Sequence, residues 1–133
     1  MKHGMGKKAR RGAAVVELAV VSPVMFAMLF GIIEFGWLFS VRHNMINAAR
    51  EGARLGVIEG VESSEVTARV QEFLAPMGLD DDVTITVVDA TEEDPTVRVD
   101  VSVDRDEVSL LGSFFGFSGG TIEGSASMRK EGM

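Results

Sequence analysis

Cysteine is absent from the 133 residues, and histidine occurs only at positions 3 and 43. The first absence excludes a disulfide framework, a thiolate metal site and a cysteine nucleophile, while remaining compatible with a periplasmic domain. The second leaves His3 and His43 with no thiol partner for a metal site. No G-x-S-x-G, P-loop or G-x-G-x-x-G stretch occurs in a strand-to-helix setting. The acidic runs 80–82 and 92–94 lack the alternating ligands and central glycine of a calcium loop, and read as solvated turns. No catalytic constellation, metal site, cofactor motif or small-molecule site emerges. The expectation is a protein that is not an enzyme.

Acid is also missing from the first twelve residues, where Lys2, Lys7, Lys8, Arg10 and Arg11 give a charge of +5. The rest of the chain has 8 basic and 20 acidic side chains, or −12, for a total of −7. A protein whose main partner is nucleic acid carries the opposite balance on its body. A short basic tip in front of an apolar run reads instead as a cytoplasmic retention signal.

That run covers residues 13–39, with Glu17 and Glu34 as its only charges. As a helix its 27 residues extend roughly 40 Å, more than a hydrocarbon core of about 30 Å requires. It is too long for the apolar region of a secretory signal peptide, and no A-x-A-like cleavage pattern follows it. The expectation is a single transmembrane helix with its N-terminus in the cytoplasm and the acidic remainder outside. Pro23 removes one backbone hydrogen bond and predicts a kink, with the Ser22 hydroxyl available to a freed backbone group. Phe35, Trp37 and Phe39 fall just before Arg42, where an interfacial aromatic belt would lie.

The spacing predicts that the helix continues through residues 40–60, the alternative being a helix that frays near Gly56 and Gly60. Ala48, Gly52, Gly56 and Gly60 recur at every fourth position and form a smooth ridge. Glycine costs about 1 kcal/mol in a helix relative to alanine, so the repetition points to close backbone approach, by another helix or by this chain's own sheet. Beyond it, 61–133 read as a small acidic head. Residues 63–78 predict a short amphipathic helix, capped by Ser63 or Ser64, with Val66, Val70, Phe73 and Leu74 on its apolar face and Pro76 and Gly78 ending it. Residues 83–104 alternate as an antiparallel hairpin, with Val97, Val99, Val101 and Val103 facing the core. A third strand is expected near 121–129, since two alone are marginal in water. Between hairpin and third strand, Leu110, Leu111, Phe114, Phe115 and Phe117 crowd a glycine-rich loop. Such a loop can pack over the sheet, rest on the outer membrane interface or touch a partner subunit. The fold class is thus α+β: a long N-terminal helix, then a small antiparallel sheet with one short helix.

The residues around the start of the apolar run carry a resemblance. Gly12 followed by Ala13-Ala14-Val15-Val16-Glu17 and an apolar helix resembles the processing site of type IV prepilins and pseudopilins. "RRGAAVVELAVVSPVMFAMLFGIIEFGWLF", followed by "NAAREGARLGV", looks like the TadE-like family, minor pseudopilins of the tight-adherence (Tad or Flp) pilus system, and the closing "GSASMRKE" resembles the end of that family's domain. One position departs: Leu18 stands where this group of pilins commonly has Phe or Tyr. The resemblance implies that residues 1–12 are a leader, cut from Ala13 by a membrane prepilin peptidase. It further implies partners among other pilins and inner-membrane assembly proteins, and a role in adhesion, surface attachment or secretion. Glu17 would then be an assembly residue, meeting the N-terminal amine of a neighbouring subunit. A carboxylate in an apolar setting is expensive alone and less so beside a cation, and a new α-amino group at Ala13 is cationic near neutral pH. The other reading has Glu17 turn toward Arg10 and Arg11 at the cytoplasmic face. Glu34 lies 17 residues further on, roughly 25 Å along the helix and on another face, so the two acids are no catalytic pair. It is assigned an assembly or structural role near the outer interface, touching Arg42 or a partner helix. The alternative function is an unprocessed single-pass membrane protein anchoring an acidic, protein-binding extracytoplasmic domain.

Overall fold

The computed structural model describes residues 5–116 and 118–130. Helix α1, Met5–Gly56, runs unbroken through Pro23 and belongs to two compact units, residues 1–35 and 36–133. Among the described residues of the first unit α1 is the only element, and nearly all of its side chains from residue 12 onward are exposed. Among the described residues, one helix is long and apolar enough to cross a membrane, and it is this one.

The second unit is an α+β head built on the last five turns of α1. Val41, Met45, Ala48, Ala49 and Ala53 are completely buried. Their spacing of three and four places them on one face, the stripe a helix needs to cover a sheet. Helix α2, Ser63–Leu74, buries Val66, Val70 and Leu74 in the same core, whereas Phe73, one turn from Val70 but off the centre of the stripe, stays partly exposed. A 3₁₀ turn, Ala75–Met77, follows, and Gly78 closes it in the left-handed conformation at φ 67°. The sheet has the order β1 (Val83–Val88), β2 (Thr96–Asp104), β3 (Thr121–Arg129), all antiparallel, with β2 central. Val97, Val99, Val101 and Val103 of β2 are buried, while Arg98 and Asp104 are exposed and Asp100 and Ser102 partly so. Two short helices, α3 (Arg105–Val108) and α4 (Gly112–Phe115), lie between β2 and β3.

Three local features differ from the sequence expectation. The helix expected over 40–60 ends at Gly56: the Val57 amide still reaches the Ala53 carbonyl at 3.2 Å, but the Ile58 amide bonds to Leu55 at 3.0 Å, tightening the chain into a turn. Neither serine caps α2. Glu62 occupies the cap position without a side-chain bond, while the Ser63 hydroxyl donates to Asp89 and that of Ser64 to Glu62 at 3.4 Å. The stretch after β2 is not a plain loop over the sheet: it forms α3 and α4, and Val108 is buried while Leu110 and Phe114 are exposed. Phe117 lies outside the described residues.

Candidate functional site

The candidate assembly residues divide between the two units. In the first, Gly12 has open space around it and Glu17 is exposed on a helical stretch whose other side chains are almost all apolar. Val15, Val16, Leu18 and Val20 surround Glu17 in sequence, and each is largely exposed. A helix that is apolar around its circumference needs lipid or other helices to cover it, and a carboxylate in such a setting needs a cation. The side chains of Arg10 and Arg11 lie outside the described ones. Further along, Phe26 and Phe30 stack one turn apart, with centroids 6.3 Å apart. Glu34 differs from Glu17 in being only 7 % exposed, the one buried charged residue among those described.

In the second unit the small-residue ridge meets this chain's own α2 and β2. A β-carbon on Gly52 would lie 2.6 Å from Cγ2 of Val70, and one on Gly56 would lie 2.8 Å from Cγ1 of Val97. Ala48 is fully buried. The ridge is therefore spent inside the head, at Ala48, Gly52 and Gly56. Gly60 is not on it: it follows the helix end, at φ 85°, with open space where a β-carbon would stand. A third close approach comes from Gly124 in β3, where a β-carbon would meet the backbone of Met45 and Ile46 at 2.7–2.8 Å. Sequence reasoning missed this residue, although a glycine inside a strand pattern is the usual mark of a backbone pressed close.

Polar contacts fasten the same unit. Arg69 of α2 bonds Glu72 at 2.9 Å and Glu51 of α1 at 3.2 Å, and Glu51 lies 3.9 Å from Arg54. The hydrogen bonds to Glu72 and then Glu51 hold the Arg69 guanidinium above its ordinary pKa. The Trp37 indole N–H donates to the backbone carbonyl of Val108 at 2.7 Å, across 71 positions of sequence. Trp37 thus has a polar partner within the head, while Phe35 and Phe39 remain exposed and Phe39 meets the His43 ring edge-on at 4.4 Å. Arg42 is exposed and lines an open pocket of about 460 Å³ with Ile46, Arg98, Asp100, Glu123 and Ser125. Among the described residues, no three His, Asp or Glu side chains gather in a way that could hold a metal ion.

No curated protein and no solved structure matches the chain. Residues 12–54 match the family model described as TadE-like protein. The matched segment begins at Gly12 and takes in Glu17, Glu34, Ala48 and Gly52, so it covers the bare apolar part of α1 and most of the stripe that enters the head. Residues 12–54 of α1 are thus similar to that family.

Proposed function

We propose that the chain is a minor pseudopilin acting in assembly of a Tad/Flp-type pilus, and that it is itself a substrate of an enzyme and no catalyst. The observation that carries this is Glu17, exposed on an apolar helix five residues beyond Gly12, in a segment that is TadE-like from Gly12 onward. A prepilin peptidase cuts the Gly12–Ala13 bond on the cytoplasmic side, and α1 stays in the inner membrane with the acidic head in the periplasm. Cleavage creates an α-amino group at Ala13, cationic near neutral pH, four positions from Glu17 and so on the same helical face. A neighbouring pilin that offers such an amine compensates the carboxylate, and the pairing sets the axial register between the two helices. The exposed apolar side chains of residues 13–33 then pack against other pilin helices as they leave lipid. Inside the head, Gly52 and Gly56 serve the fold of this chain and leave the lower part of α1 to make the contacts between subunits.

The experiment is the mass of the N-terminus of the protein from cells with and without their prepilin peptidase. A chain beginning at Ala13 only where the peptidase is present is the expected result. Residues 1–12 still attached in both strains would overturn the pseudopilin reading in favour of an unprocessed single-pass anchor.

A further inference from the structure

From residue 61 onward the chain has 5 basic and 16 acidic side chains, a net charge of −11, yet residues 108–120 carry no charge at all. Within that stretch Leu110 is 54 % exposed and Phe114 80 %, with the Phe115 ring edge-on to Phe114 at 5.2 Å. The backbone that presents them is tied down. The Arg105 amide donates to the Gly120 carbonyl at 2.9 Å, closing the base of the loop. The Gly119 amide donates to both oxygens of Asp106, at 2.9 and 3.1 Å, and the Gly112 amide to the Ser109 hydroxyl at 2.7 Å. An uncharged apolar patch on an otherwise acidic head is a candidate interaction site.

Trp37 places the patch. Its indole holds the Val108 carbonyl, so the loop starts beside a residue of the apolar run itself. Trp37 stands with Phe35 and Phe39 at the far end of the 13–39 apolar run, where the outer interface of a bilayer crossed by that run would lie. Aromatic side chains settle at that depth, with their rings against the acyl boundary and their polar atoms toward water. We propose that Leu110, Phe114 and Phe115 insert into the outer headgroup boundary of the bilayer that α1 crosses, giving the head a second contact with phospholipid. This rests on the membrane-spanning reading of α1. No Lys or Arg lies within 108–120, so the contact is driven by apolar burial and not by attraction to anionic headgroups.

The absence of native cysteine makes a test direct. The full chain is labelled with an environment-sensitive nitrobenzoxadiazole dye at Phe114→Cys or, as a second position, Leu110→Cys, and reconstituted in phosphatidylcholine vesicles with and without brominated acyl chains. Val24→Cys in the apolar run and Glu93→Cys in the β1–β2 turn are the references. The expected result is a blue-shifted dye at 114 and 110, quenched by bromolipid at least about half as strongly as at 24, unchanged by added salt. The dye at 93 stays unquenched. Quenching at 24 with none at 114 or 110 would overturn the loop contact and leave the anchor standing. A blue shift at 114 without bromolipid quenching would show another copy of the chain on the patch. No quenching at 24 would remove the membrane-spanning reading and this proposal together.

Discussion

A β-carbon on Gly124 would lie 2.7 Å from the amide nitrogen of Ile46, so at this position β3 rests against the main chain of α1. Backbone in the middle of a helix cannot move aside as a side chain can. Gly124→Ala is therefore expected to destabilise the head by about 2–3 kcal/mol, the upper part of the range for overpacking. Ser125→Ala, at the exposed neighbour, should change little. Denaturant unfolding of the full chain in detergent, followed by Trp37 emission, compares the two.

Gly52 is a softer case, because the atom it would strike is Cγ2 of Val70. Gly52→Ala gains about 1 kcal/mol of helix propensity and loses about 1–3 kcal/mol to crowding, for a net cost near 1 kcal/mol. Val70→Ala makes room, so the double variant should be more stable than the sum of the singles by 0.5 kcal/mol or more, roughly the size of a contact coupling. Additive effects in the same unfolding measurement would mean that the two sites do not touch.

Trp37→Phe keeps an aromatic ring and deletes the donor to Val108. Loss of one such bond costs about 0.5–1.5 kcal/mol, up to about tenfold in a local opening equilibrium. Amide hydrogen exchange over residues 109–116 should quicken by that order, with strands β1 and β2 unaffected. Phe39→Leu, at an exposed ring, provides the comparison and should leave exchange as it was.

Glu17→Ala is expected to leave cleavage at Gly12 nearly intact and to abolish or greatly reduce assembly. Glu17→Gln should behave the same way, since the amide keeps the shape and loses the charge. N-terminal mass together with the amount of sheared surface pili separates the two steps. Loss of cleavage with both variants would move Glu17 from assembly to peptidase recognition.

The elements legible in the sequence are those whose pattern is local. Alternating valines from Val97 to Val103 announced the buried face of β2, and the four-residue spacing of Val66, Val70 and Leu74 announced that of α2. The small-residue ridge was visible as a ridge, but its partner was not, because Val70 and Val97 reach it only in the folded head. Gly60 fits the spacing as well as Gly56 does, and only the tightening turn after Ala53 separates them. The caps misled for a related reason: Ser63 is within reach of its own helix but also of Asp89, which competes for the hydroxyl. The Trp37–Val108 bond spans two elements with no shared periodicity, and no window of sequence contains it.

The stripe from Val41 to Gly56 also fixes an order of events. It is synthesised before the strand that covers it, since Gly124 lies 68 residues beyond Gly56. At roughly 5–20 residues per second, seconds pass between the two. Throughout that interval the face bearing Met45 and Ala49 has no sheet to lie against. The newborn head thus has a vulnerable age, during which a protease or a holding chaperone competes with completion, and a chain stopped short of β3 never outgrows it.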